Sequence, residues 1–187
     1  MTMFTSQALT FLFLVVFRAH QLHAAPKMAG IYDIWIESIH ECDDPGSDEV
    51  KFSTELTTTD NNLMTWNTNW TWPYDLDDKV SGSFTSTKWT PTGWSDKSYT
   101  KELKPFCDVV HKIAPEFFAS LIGGMGLPLQ CPVPAGNYEL RDFPTNLHFS
   151  KFPVLEYGRY QVDVALSKDN SRIGCCRTVL NILPQDR

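Results

Sequence analysis

Roughly eight short runs of β-branched and aromatic residues, separated by turn clusters, restrict this chain to a few architectures. Runs at residues 31–39, 51–59, 63–72 and 79–89 fall in the first half, and runs at 138–143, 147–152, 158–166 and 175–183 in the second. Asp43-Asp44-Pro45-Gly46, Asp60-Asn61-Asn62 and Pro91-Thr92-Gly93 punctuate them with residues that favour turns. Tyr160, Val162, Val164 and Leu166 alternate with Gln161, Asp163 and Ala165, the pattern of a half-buried strand. Strands at such regular spacing predict a sandwich or a barrel. One insertion breaks the pattern. From Phe106 to Ile122 the apolar residues Val109, Val110, Ile113, Phe117, Phe118, Leu121 and Ile122 recur close to helical spacing. Pro115 must kink that helix or open a second one, because it has no amide hydrogen to donate. Gly123-Gly124-Met125-Gly126 ends it.

The start of the chain predicts secretion. Ala8 to Phe17 is an apolar run of ten residues, too short for a bilayer span of roughly 20. It matches the core of a signal peptide, and Ala24-Ala25 supplies small residues for cleavage. The expected organisation is a signal peptide at residues 1–25 and one domain at residues 26–187. Removing the first 25 residues takes away one base, Arg18, and no acid, so the net charge moves from −6 to −7. That balance argues against nucleic acid, which is bound by neutralising phosphates with Lys and Arg.

All five cysteines, Cys42, Cys107, Cys131, Cys175 and Cys176, follow residue 25. In an oxidising compartment cysteines pair, and an odd number leaves one over. Cys107 with Cys131 is the preferred pair, since it staples the helical insertion. Cys42 then pairs with Cys175 or Cys176, two adjacent residues between which the sequence does not choose. Asn69-Trp70-Thr71 is a glycosylation sequon.

Nothing in the chain reads as catalytic. His40, His111 and His148 remain after residue 25, none in a catalytic motif, and no G-x-S-x-G is present. His40-Glu41-Cys42-Asp43-Asp44 is dense in ligating groups, but its spacing fits no zinc or calcium motif and reads as a strand end, a disulfide and an acidic turn. No cofactor is expected. Trp66, Trp70, Trp72, Trp89 and Trp94 crowd into about thirty residues. They read either as sandwich core or as the wall and rim of an apolar cavity, for indoles bury large areas yet carry one polar atom.

Cys131-Pro132-Val133-Pro134-Ala135-Gly136-Asn137-Tyr138 resembles the C-P-x-x-x-G-x-Y signature of the ML lipid-recognition family and its ganglioside-activator branch. Gly158-Arg159-Tyr160 resembles that family's G-x-Y strand opening, and Cys42 and Cys175 fit its disulfide layout. The resemblance leans toward the insect group that includes the chemosensory B proteins. It implies an all-β fold, a two-sheet antiparallel β-sandwich or cup with a short helical insertion and an apolar cavity. It implies a lipid or other hydrophobic small molecule as ligand, contact with a membrane surface or receptor, and no enzymatic chemistry.

The expected cavity wall is Ile34, Trp66, Phe84, Trp89, Phe117, Leu121, Phe149 and Val162, chosen by strand face and side-chain chemistry. The expected function is a secreted lipid-binding or lipid-transfer protein. The rival is a secreted interaction module with a filled core, acting on a receptor or channel through its surface.

Overall fold

Two antiparallel sheets face each other in the computed structural model, which describes residues 32–58, 64–147, 149 and 156–185. The proposed signal segment lies outside those residues. Among the described residues nine strands form the sheets: β1 (Tyr32–Glu41), β2 (Lys51–Thr58), β3 (Met64–Trp72), β4 (Val80–Thr90), β5 (Gly93–Leu103), β6 (Gly136–Pro144), β7 (Asn146–Leu147), β8 (Gly158–Lys168) and β9 (Ser171–Pro184). Six make a large sheet in the order β5-β4-β8-β9-β1-β7, and three make a small sheet in the order β2-β3-β6. The expected all-β sandwich is the observed fold.

One strand differs from expectation. The sequence predicts no strand over Gly93–Leu103, whereas it forms β5, paired along β4 from Gly82↔Leu103 to Thr90↔Gly93. Its run is mostly polar and exposed because it is an edge strand, so apolar alternation never develops. Of the strand expected over 147–152, Leu147 pairs with Ile34 of β1 in the short strand Asn146–Leu147, and most of the run lies outside the described residues.

The helical insertion is two helices, α1 (Phe106–Ile113) and α2 (Pro115–Gly124). Pro115 opens α2 at its first turn, where a missing amide hydrogen costs nothing. Cys107 in α1 is bonded to Cys131 beyond α2. The helices sit close to the sheets because glycines admit them. A Cβ on Gly82 of β4 would lie 2.4 Å from the Phe106 ring, and one on Gly124 would lie 2.6 Å from Leu140 of β6.

Most of the buried apolar side chains fall into separate clusters. One closes an end of the sandwich, joining Trp72 of the small sheet to Val80, Leu166 and Ile173 of the large sheet and to Phe118 and Ile122 of α2. A second joins Ile36 of β1 to Trp66, Leu140 and Phe143 of the small sheet. A third gathers Tyr32, Ile34 and Ile182 at the far end of the large sheet. A fourth lies on the outer face, where Cys42, bonded to Cys175, packs with Ala165.

Candidate functional site

Strand register decides which side chains point between the sheets. Residues opposite one another in a ladder share a face. Phe84, Val164 and Cys176 stand in one row across β4, β8 and β9, and Ser86, Val162 and Thr178 in the next. Leu166 shares that face and packs with Trp72 of the small sheet, so the face is the inner one. Of these six residues only Val162 is buried; the others are half-buried. Phe84, Val162, Val164 and Cys176 belong to none of the four buried clusters among the described residues.

Across from them, the inner face of the small sheet carries a ladder of rings. Trp66, Thr68, Trp70 and Trp72 all project inward from β3, flanked by Phe52 and Leu56 of β2 and by Tyr138, Leu140 and Phe143 of β6. Ring centroids lie 6.3 Å apart for Trp66–Trp70, 5.9 Å for Trp70–Trp72 and 5.6 Å for Phe52–Trp70. Phe52, Leu56 and Trp70 are half-buried, as are Phe117 and Leu121 of α2 beside them. Two bands of inward-facing apolar side chains therefore keep access to solvent. A close-packed interior would leave little such exposure.

The expected wall residues divide by this geometry. Trp66, Phe117 and Leu121 come together around one cluster. Phe149 adjoins Phe117 at a centroid distance of 5.7 Å and links it to Ile34, which is buried in the far-end cluster. Phe84 and Val162 occupy the inner face of the large sheet. Trp89 does not join them. It projects from the outer face, 44% exposed, with its ring 4.9 Å from Trp94 and the Arg159 guanidinium 5.4 Å from both. A shift of one residue along a strand exchanges faces, and inward Lys88 occupies the neighbouring place over Tyr160.

That outer face has its own character. Arg159 pairs with Asn181, which pairs with Trp35, so Trp94, Trp89, Arg159 and Trp35 form a row across the sheet. Arg159 donates two hydrogen bonds to Glu37, holding the Glu37 carboxyl below its usual range despite partial burial. Trp35 and Leu183 are exposed there too.

Alternation also separates the adjacent cysteines. Cys175 points outward to Cys42, and Cys176 points inward, opposite Val164. Burial pushes the Cys176 thiol up to about 12, with Asp163 adding to the rise and a hydrogen bond to Thr178 opposing it. A thiol held protonated is a poor nucleophile. A thiol-specific reagent at pH 8 should therefore find no reactive group in the folded protein and one after denaturation; prompt reaction in the folded state would contradict this placement. The sign for stability follows from the same shift. The thiol's contribution is complete below its ordinary value near 9 and is lost as pH rises toward 12.

Two surface recesses lie away from the inner faces. One of about 210 Å³ is lined by Asp43, Asp163, Arg172 and Arg177 beside the Cys42–Cys175 disulfide. There Arg177 donates to both oxygens of Asp163, at 2.8 and 2.9 Å, and to Asp43 at 2.8 Å. The other, about 260 Å³, adjoins Cys107–Cys131 and carries Asp77, Asp78 and Asp108. Among the described residues no group of three His, Cys, Asp or Glu could hold a metal ion. Asn69 and Thr71 of the sequon are both exposed on the outer face of the small sheet, while Trp70 between them turns inward.

No family model matches the chain, and no curated protein does. Among solved structures the chain is similar to chicken MD-1 complexed with lipid IVa, at 14% identity and a TM-score of 0.32, over 81% of this chain and 91% of that one.

Proposed function

We propose that this protein is a secreted carrier that holds an apolar ligand, a lipid or a similar hydrophobic molecule, between its two sheets. The observation that supports it is the pair of half-buried apolar bands on the inner faces, with Phe84 and Val164 on one side and Phe52, Leu56, Trp70 and Phe117 on the other. An acyl chain laid between them replaces water at both surfaces. Burying a dozen methylenes contributes on the order of 10 kcal/mol before ordering costs, at about 0.8 kcal/mol each. The resemblance of Cys131 to Tyr138 to the lipid-recognition signature favours the same reading, and its insect branch favours a role in carrying hydrophobic chemical cues. Secretion from a signal peptide at residues 1–25, glycosylation at Asn69 and the absence of catalysis belong to the same proposal.

The test is a titration with N-phenyl-1-naphthylamine, whose emission rises and shifts to the blue in an apolar site. Saturation near one probe per chain, reversed by added fatty acid, is the expected result. No emission change with folded protein would remove the carrier reading.

The outer aromatic row favours a second reading, a surface that docks on a partner. Trp and Arg are the residues that most often dominate such contacts, and Trp35, Trp89, Trp94 and Arg159 stand together. A protein that fails the titration would be pursued through that face.

A further inference from the structure

Four polar side-chain atoms on one strand face are cut off from water and have no hydrogen-bond partner among the described residues: Trp66 Nε1, Thr68 Oγ1, Trp70 Nε1 and Trp72 Nε1. All four residues project between the sheets from β3. Trp66, Thr68 and Trp72 are at least nine-tenths buried, at 5%, 1% and 4% exposure. A buried donor left unmatched costs about 1–3 kcal/mol, so such groups are rare and a row of them calls for an explanation. The edge-to-face contacts among the indoles offer an N–H at best the face of a ring, a weaker partner than an oxygen lone pair. Trp70 is itself half-buried, so its ring borders the solvent-accessible band where a ligand would lie.

The chemistry of the row selects its partner. An indole N–H only donates, so three of the four groups need an acceptor. Trp66 and Trp70 pack against the apolar side chains of Ile36, Ile39, Leu56, Leu121, Met125 and Phe143. An ionised carboxylate or phosphate buried there would need a cation beside it, and inward Lys88 is already held by Glu156 at 2.6 Å. A neutral oxygen meets the donors without that need.

Resting on the carrier reading above, we infer that the ligand is a long apolar chain bearing a neutral carbonyl or ester oxygen, taken up by the inward donors of β3. Selectivity then comes from the inside of the sandwich, by recognition of an oxygen within the chain.

The experiment is native mass spectrometry of the full secreted chain with an equimolar mixture of methyl palmitate and octadecane, which match in chain length and differ in the ester. The ester complex should exceed the alkane complex about ten-fold. Trp70→Phe keeps a ring and removes the N–H, and Thr68→Val keeps the shape and removes the hydroxyl. Each should cut that ratio several-fold while alkane binding persists, so a variant that still binds octadecane is known to be folded. Equal binding of the two probes by the unaltered protein overturns the inference and leaves the carrier reading intact. An undiminished ester preference in both variants also overturns it, because the oxygen is then recognised elsewhere. Binding of neither probe by folded protein overturns the carrier reading and the inference with it.

Discussion

Replacing Cys42 and Cys175 together with alanine should lower the unfolding free energy by about 5 kcal/mol. The bond joins residues 133 apart, tying the end of β1 to the middle of β9. Cutting so long a loop releases more denatured-state entropy than cutting a short one. Cys107–Cys131 spans only 24 residues, and its loss should cost about 3.5 kcal/mol by the same chain-entropy argument. Urea denaturation of the two double variants reads both numbers. Cys176 cannot rescue the first variant, because Cys42 is replaced too and Cys107 and Cys131 are bonded to each other, which leaves it no thiol to pair with. Equal losses from the two variants would mean that the long bond adds strain or that the denatured chain stays compact.

Leu140→Ala should cost about 3 kcal/mol of stability, and Phe117→Ala much less. Leu140 is 1% exposed, locked among Ile36, Trp66 and Phe143 with α2 closing over it. Removing three carbons there leaves a hole that the surrounding rings cannot fill. Phe117 packs on the edge of the same cluster, half-buried and in contact with Phe143 and Phe149. Its loss should show instead as weaker uptake of a fatty probe by protein that unfolds at nearly the same urea concentration. If Phe117→Ala unfolds the protein as Leu140→Ala does, with no separate binding defect, α2 is ordinary core and does not line a ligand site.

These contrasts mark where the sequence was legible. The strand runs and turns announced the two sheets, because β-branched and aromatic residues broken by Gly, Pro, Asn and Asp carry a local signal. Pro115 announced a helix boundary for an equally local reason. The edge strand β5 was hidden, since a strand with solvent on most of its surface has no apolar period to read. Its partner in the ladder, not its own composition, makes it a strand.

The site was legible only as far as strand faces can be guessed. Trp66 and Phe84 fell on the inner side, but Trp89 did not, because one step along β4 reverses the face and neither tryptophan nor its neighbours say which way that step falls. The same rule settles Cys175 against Cys176, a choice requiring the register of β8 on β9. That register is set by a tight turn at Asp169 and Asn170, whose φ values of 50° and 64° match the twist of the two strands, and by a bulge at Ile173, without which Val164 would face Cys175 instead of Cys176. The outer row of Trp94, Trp89, Arg159 and Trp35 was missed altogether. Trp89 and Trp94 face each other across one hairpin, but Trp35 and Arg159 lie far off in the chain and reach them only through the order of the strands.

The central claim is that the space between the sheets holds an apolar molecule. The measurement that bears on it most directly is the mass of the secreted protein under native conditions, before and after extraction with organic solvent. The account predicts an added mass in near one-to-one proportion that leaves on extraction and returns on exposure to a mixed lipid extract. A protein that keeps its bare mass after that exposure, while remaining folded, would contradict it.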